Sequence, residues 1–245
     1  ARWIAVDDSG RTLGRIAAFF DRQKDDTDYV KSGGCGYFES VDDAGVASGL
    51  FDAAADWLQQ NGYKAMTGPI NFGENDTNWG CLVQGFHPPV LGMTYNPPYY
   101  RKLFEAWGFR LYYRQLSFKI DLQKPFPERF WKIAGWINKR PDYSYRHFDF
   151  AKTHKFVNDV VSIYNQAWPG LREDFTPLDP SSLYDELRKI RSFLDEELIW
   201  FAYYRGEPIA FFMFLPDANQ IFRHLNGKLH LINKLRFLYY RRKKL

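Results

Sequence analysis

Apolar and polar positions alternate from the first residues. Arg2-Trp3-Ile4-Ala5-Val6 reads as a strand entering the turn Asp7-Asp8-Ser9-Gly10-Arg11, and Thr12 to Phe20 reads as its returning partner. The polar stretch from Asp21 to Gly34 predicts a loop, and Cys35 to Val41 a third strand. The period then changes from two to 3.6. Val46, Leu50, Ala54, Trp57 and Leu58 fall on one face of a helix from about Asp43 to Asn61, with Asp42 placed to cap its start and Asn61-Gly62 to end it. Lys64 to Met66 begins a short strand. Residues 69–95 are rich in Gly, Pro and Asn. A second helix opens at Asn96 with Pro97 in its first turn and ends near Trp107-Gly108. Arg110 to Ile120 returns to strand-like alternation.

A connector follows between Pro125 and Pro141, with Phe130, Ile133, Ala134 and Ile137 at helical spacing. A new pattern starts beyond it: a strand at 143–150, helices at 153–168 and 180–195, and a hairpin at 198–215. Asp179 is a suitable cap for the second of these helices, with Pro180 in its first turn and Leu183, Leu187, Ile190 and Leu194 on one face. The segments Ile4 to Phe20 and Trp200 to Phe214 echo each other as apolar strand, glycine turn, apolar strand. The pattern divides the chain into residues 1–121, a connector at 122–142, and residues 143–245.

Composition narrows the class. The chain has 245 residues, of which 45% are apolar and 25% charged, the balance of a folded globular protein. No run of 18 apolar residues occurs. The net charge is +4, yet no acidic residue follows Asp217, while eight basic ones do: Arg223, Lys228, Lys234, Arg236, Arg241, Arg242, Lys243 and Lys244. Setting those eight aside from 33 basic residues leaves 25 against 29 acidic ones, so the body carries −4. That argues against nucleic acid as a partner, because such binding depends on phosphate neutralisation. Two cysteines, Cys35 and Cys81, fit a reducing compartment, and a cytoplasmic location is expected.

Overlaid on their shared hairpin, the two halves give one order: a strand, two helices, three strands, a helix, a strand, a helix and two strands. That order resembles the GNAT-type N-acyltransferase fold. Residues 1–121 are similar to the later part of one GNAT unit, and residues 143–215 to the first half of another. Arg146-His147-Phe148-Asp149-Phe150, running into the helix to Trp168, resembles the first strand and helix of such units; Leu103 to Phe109 resembles the end of their last helix. Segments like Gly68 to Asn75 and Tyr95 to Tyr100 are similar to those of a bacterial group of tandem GNAT-like proteins. The resemblance implies an α/β fold, layered in the α+β manner: tandem units with mixed, twisted sheets flanked by helices, the second incomplete. It also implies an N-acyltransferase moving an acyl group, acetyl in the first instance, from acetyl-CoA or another acyl-CoA to a small-molecule amine.

Two departures bear on that function. GNAT units hold the CoA pyrophosphate at a glycine turn opening the central helix, where N–H groups and the helix dipole meet the negative charge. The matching turn here carries Asp42 and Asp43, which repel a phosphate. The tyrosine that protonates the leaving thiolate in many GNAT enzymes is matched by Phe104. Both departures favour an alternative from a different class, a non-catalytic GNAT-like module that binds a small molecule.

Candidate chemistry concentrates between Gly68 and Gly80. Asn71, Asn75 and Trp79 suit recognition of an amine or another polar small molecule, and Glu74 is placed to act as general base through a water. The competing reading is a loop whose Asn and Asp side chains satisfy their own backbone. Tyr99 and Tyr100 offer an aromatic wall or hydroxyl donors to the same pocket, or else pack on the core. No metal is expected: His87, His147, His154, His224 and His230 lack ligand spacing, and the cysteines form no C-x-x-C. The tail of leucines and cations reads as the continuation of the second unit in preference to a segment lying on a membrane.

Overall fold

The structure is a computed structural model that describes residues 1–21, 30–71, 80–169, 175–191, 194–228 and 230–242. It is a mixed α/β architecture with two separate sheets and flanking helices. Contacts group the chain into two units, one of residues 1–117 with 217–245, the other of residues 118–216.

In unit 1, β1 (Arg2–Val6), β2 (Thr12–Phe19) and β3 (Ser32–Ser40) pair antiparallel in sequence order. The helix α1 (Ala44–Gln60) then carries the chain to β4 (Ala65–Thr67), which pairs parallel with β3. A parallel neighbour requires such a crossover, and the 17-residue helix supplies it. The cap of α1 is Asp43, one residue later than the sequence suggests: its carboxylate accepts from the Val46 N–H at 3.0 Å. The face read from the sequence is the face buried, with Leu50, Ala54 and Leu58 joined by Ala47 and Phe51. These meet Ile16, Ala18, Cys35 and Phe38 from the sheet.

The helix α2 (Tyr100–Trp107) closes this core with Tyr100, Leu103 and Phe104. It starts four residues later than expected, because the Asn96 side chain is engaged elsewhere. Its Oδ1 accepts from the Leu82 N–H at 2.6 Å, and its Nδ2 donates to the carbonyls of Leu82 and Pro97. Asn96 therefore staples the preceding loop. A second difference concerns residues 110–120, which form no strand. A strand needs a neighbour for its backbone groups. Here the segment lies open, with Leu111, Tyr112, Leu116 and Phe118 at least 70% exposed. Unit 1 also includes α6 (Asn219–Phe222) and α7 (Leu231–Arg242). The start of α6 joins the loop before α2 through the Asp217 carboxylate, which accepts from the Leu91 N–H at 2.9 Å, and Asn219 Nδ2, which donates to the Pro89 carbonyl at 2.8 Å.

Unit 2 holds α3 (Glu128–Asn138), β5 (Tyr143–His147), α4 (Thr153–Ala167), α5 (Pro180–Ile190), β6 (Ile199–Tyr204) and β7 (Glu207–Met213). Its sheet is antiparallel in the order β5-β6-β7, so β6 sits in the middle although two helices separate it from β5 in sequence. Asp179 caps α5 as its position suggests, accepting from the Ser182 N–H at 2.8 Å. The core is smaller than that of unit 1: Phe148, Phe156, Ile199, Phe201 and Tyr203. No residue of α3 is buried. Among the described residues, no helix is long and apolar enough to cross a membrane.

Candidate functional site

Three of the sequence-derived candidates, Asn71, Tyr99 and Tyr100, bond to the second half of β3. Its register against β2 skips a position: Arg15 faces Glu39 and Ala17 faces Gly36, so Tyr37 and Phe38 together oppose Ile16. That is a β-bulge, and bulges re-aim side chains and backbone groups next to functional sites. Tyr37 lies in the left-handed region at φ 49°, an uncommon setting for a residue with a Cβ. Asn71 holds it there, its Oδ1 accepting from the Tyr37 N–H at 2.9 Å.

The chain leaving β4 makes this possible. Beyond Thr67, the Ile70 N–H donates to the Cys35 carbonyl at 2.8 Å. The Ile70 carbonyl presses so close to Gly36 that a Cβ there would stand 1.3 Å from its oxygen. Gly33 admits Leu58 of α1 in the same manner. Gly33 and Gly36 are thus points of close approach by a helix and by a neighbouring chain segment.

Three residues beyond Tyr37 on β3, Tyr99 and Tyr100 both meet the backbone of Ser40. The Tyr99 hydroxyl donates to the Ser40 carbonyl at 2.8 Å, and the Tyr100 hydroxyl accepts from the Ser40 N–H at 3.1 Å. Tyr100 is buried, and burial pushes its pKa up, so the phenol stays neutral through the physiological range. In this arrangement both hydroxyls fix the end of β3. Glu74, Asn75 and Trp79 lie outside the described residues. Phe104, matched above to a thiolate-protonating tyrosine, packs in the core against Phe38, Phe51 and Phe109.

The electrostatics of the first turn of α1 are now defined. The Asp43 carboxylate occupies the helix N-terminus through its bond to Val46, and no basic residue lies in the 40–49 stretch. Cys35, beside Gly36 on β3, is fully buried, and burial raises its thiol pKa from 9.0 to about 12. The folded chain therefore holds this proton more tightly than the unfolded chain. The stability this contributes is complete below pH 9 and is lost as pH rises toward 12, at roughly 1.4 kcal/mol per pH unit. Chemical denaturation across that window should show the slope, and Cys35→Ala should remove it. An unchanged slope in the variant would refute a buried, protonated thiol. Cys81 is also pushed up, to about 11, mainly by burial.

Unit 2 holds one cluster that the sequence reading missed. On α4, Lys155 Nζ and the Tyr203 hydroxyl both donate to Asp159 Oδ2 at 2.5 Å, and Lys155 Nζ donates to the Tyr203 oxygen at 2.8 Å. Burial acts to lower the Lys155 pKa, but its bonds to Asp159 and Tyr203 outweigh that and raise it. The Tyr203 pKa is raised by burial and by Asp159. The group ties α4 to β6. Lys155 and Asp159 stand at i, i+4 and were legible as a helix pair; Tyr203, 44 residues on, was not. Among the described residues, no group of three His, Cys, Asp or Glu side chains could hold a metal ion.

No family model matches the chain, and no solved structure matches it. Two curated proteins are similar to it. One, from Caulobacter vibrioides (strain NA1000 / CB15N), is named bacterial ceramide synthase and is 31% identical over 225 residues. The other, from Escherichia coli (strain K12), is named protein YghO and is 26% identical over 234 residues. The alignments cover 90% and 93% of this chain, and the chain spans 57% of the length of each of these relatives.

Proposed function

We propose that the chain belongs to an acyl-CoA-dependent N-acyltransferase of the GNAT type whose acceptor is an amine on a long-chain lipid. The observation that carries this is the architecture around β3: three antiparallel strands, a bulge, a helical crossover and a parallel fourth strand. It follows the later part of the order expected of a GNAT unit as far as α2, without the strand expected at 110–120. The succession of a strand, two helices and a hairpin in unit 2 supports the same reading. The lipid acceptor rests on the relative named for ceramide synthesis, since a ceramide is an amide formed on a long-chain amino alcohol.

The chemistry is direct transfer. The amine nitrogen attacks the thioester carbon, a C–N bond forms, the C–S bond breaks, and CoA leaves as its thiol once the amine proton has passed to a base and a proton has reached sulfur. Glu74 serves as base through water, with Asn71, Asn75 and Trp79 on the amine side. Tyr99 and Tyr100 set the backbone of β3, and the proton donor to sulfur is unassigned. Because Asp43 already caps α1, the CoA pyrophosphate binds elsewhere than at that helix start.

The capped helix and the buried Phe104 also favour a second reading, a binding module without acyl chemistry. Incubating the whole gene product with labelled palmitoyl-CoA or acetyl-CoA, and with sphinganine or short amines, separates the two. Labelled amide on sphinganine is the expected result. Amide on short amines alone would remove the lipid acceptor. No amide with any amine, together with no CoA in calorimetric titration, would leave the binding module.

A further inference from the structure

The helix α7 has two distinct sides. One is satisfied within unit 1: Asn233 is buried and its Nδ2 donates to the carbonyls of Leu225 and Lys228, both at 2.7 Å. On the same side Phe237 stacks with Phe222, and Tyr240 stacks on His224 at 4.3 Å between ring centres. The other side is apolar and open. Leu231, Leu235 and Leu238 form one stripe with Ile232 at its margin, and all four are between 49% and 75% exposed. Lys234 and Arg241 border the stripe on one flank and Arg242 stands at its end; Arg236 lies on the other flank, where its Nη1 donates to Asn233 Oδ1 at 3.5 Å, and all four are exposed. None of these cations has an ion-pair partner among the described residues. The helix contains no carboxylate, and no acidic residue follows Asp217.

We infer that α7 docks unit 1 onto an anionic phospholipid surface, with its leucine stripe among the acyl chains and its cations at the headgroups. A helix seated on the protein by one side, apolar on the other and cationic along both flanks, has the pattern of an interfacial helix. At 12 residues it is about 18 Å long, so it lies along a bilayer rather than across it. The charge pattern decides the occupant. A second copy of the same helix would bring four cations against four, and a nucleic acid would leave the leucines in water. With the inward side accounted for by α6 and the residues just after it, the outward stripe is what needs a partner, and that reverses the preference the sequence alone supports. The inference goes beyond acyl transfer and does not rest on it.

Flotation of the purified chain with vesicles tests it. Vesicles of phosphatidylcholine with about one-third phosphatidylglycerol should bind at least ~10-fold more tightly than phosphatidylcholine alone, and high salt should release the protein. Lys234→Gln with Arg236→Gln should weaken binding roughly 25-fold, about fivefold for each cation. Leu235→Ser with Leu238→Ser, at exposed positions where folding is insensitive, should weaken it more than ~10-fold with an unchanged far-ultraviolet spectrum. Equal flotation of the serine variant and the parent would overturn the proposal by reducing the contact to bulk charge. Absence of flotation at low salt would overturn it too, as would a dimer in light scattering that the serine variant converts to monomer.

Discussion

Replacing Phe51 with Ala should cost unit 1 about 3–5 kcal/mol, the range for a fully buried phenylalanine. Phe51 has no exposed surface and sits where the sheet, α1 and α2 meet. Its ring stacks on Phe38 at 4.8 Å and contacts Phe104, Trp107 and Phe109. Deleting it leaves a cavity bounded by four other aromatic rings, which are too stiff to collapse into it. Native-state hydrogen exchange resolves the effect by unit. Protection of β2 and α1 amides should fall by roughly two to three and a half decades, while the peptides of β6, in a separate core around Phe201, keep theirs. A loss below about 1 kcal/mol would mean that the aromatic cluster does not hold unit 1 together.

The second large effect is expected at Gly36. In Gly36→Ala the new methyl would stand 1.3 Å from the Ile70 carbonyl oxygen, a backbone atom that no rotamer change can move aside. The segment after β4 must leave β3, taking with it the Ile70-to-Cys35 bond and the Asn71 acceptor that holds Tyr37 at positive φ. Overpacking and two lost hydrogen bonds together should cost about 3 kcal/mol or more. Exchange at the Ile70 and Tyr37 amides should rise to that of an open loop. Gly49→Ala is the control. It lies inside α1 with nothing near its Cβ position, so the same change there should stabilise by about 0.5–1 kcal/mol through helix propensity. If Gly36→Ala were as stable as its parent, Ile70 would not lie against β3, and the site would lose its floor.

These two positions also mark what could be seen in advance. Phe51 was not among the residues read as the apolar face of α1, because it falls next to Leu50 and the spacing rule favoured its neighbour. Only the approach of α2 from the far side, bringing Phe104, buries it. Gly36 fell inside the strand expected from Cys35 to Val41, and strand propensity has no term for a segment arriving from 34 residues later.

The secondary elements with strong period were legible: α1, α4, α5 and both hairpins follow alternation, helical spacing and caps, which are local properties. Asn96 and residues 110–120 were misjudged for the complementary reason. A cap and a strand are choices between partners: Asn96 found the Leu82 backbone, and residues 110–120 find no neighbouring strand among the described residues.

The sequence by itself determined the order of elements, the glycine-rich approach to β3, the acidic start of α1 and the charge asymmetry after Asp217. These are written in residue type and spacing, which act over a turn of helix or a pair of strands. Only the tertiary structure decided that Asn71 reaches Tyr37, that Tyr99 and Tyr100 spend their hydroxyls on Ser40, and that α7 turns Asn233 inward and its leucines out. Each of those outcomes is a contact between positions 5 to 60 residues apart. Such contacts are selected by the packing of whole elements, where burying an unpaired polar group costs more than any local preference returns.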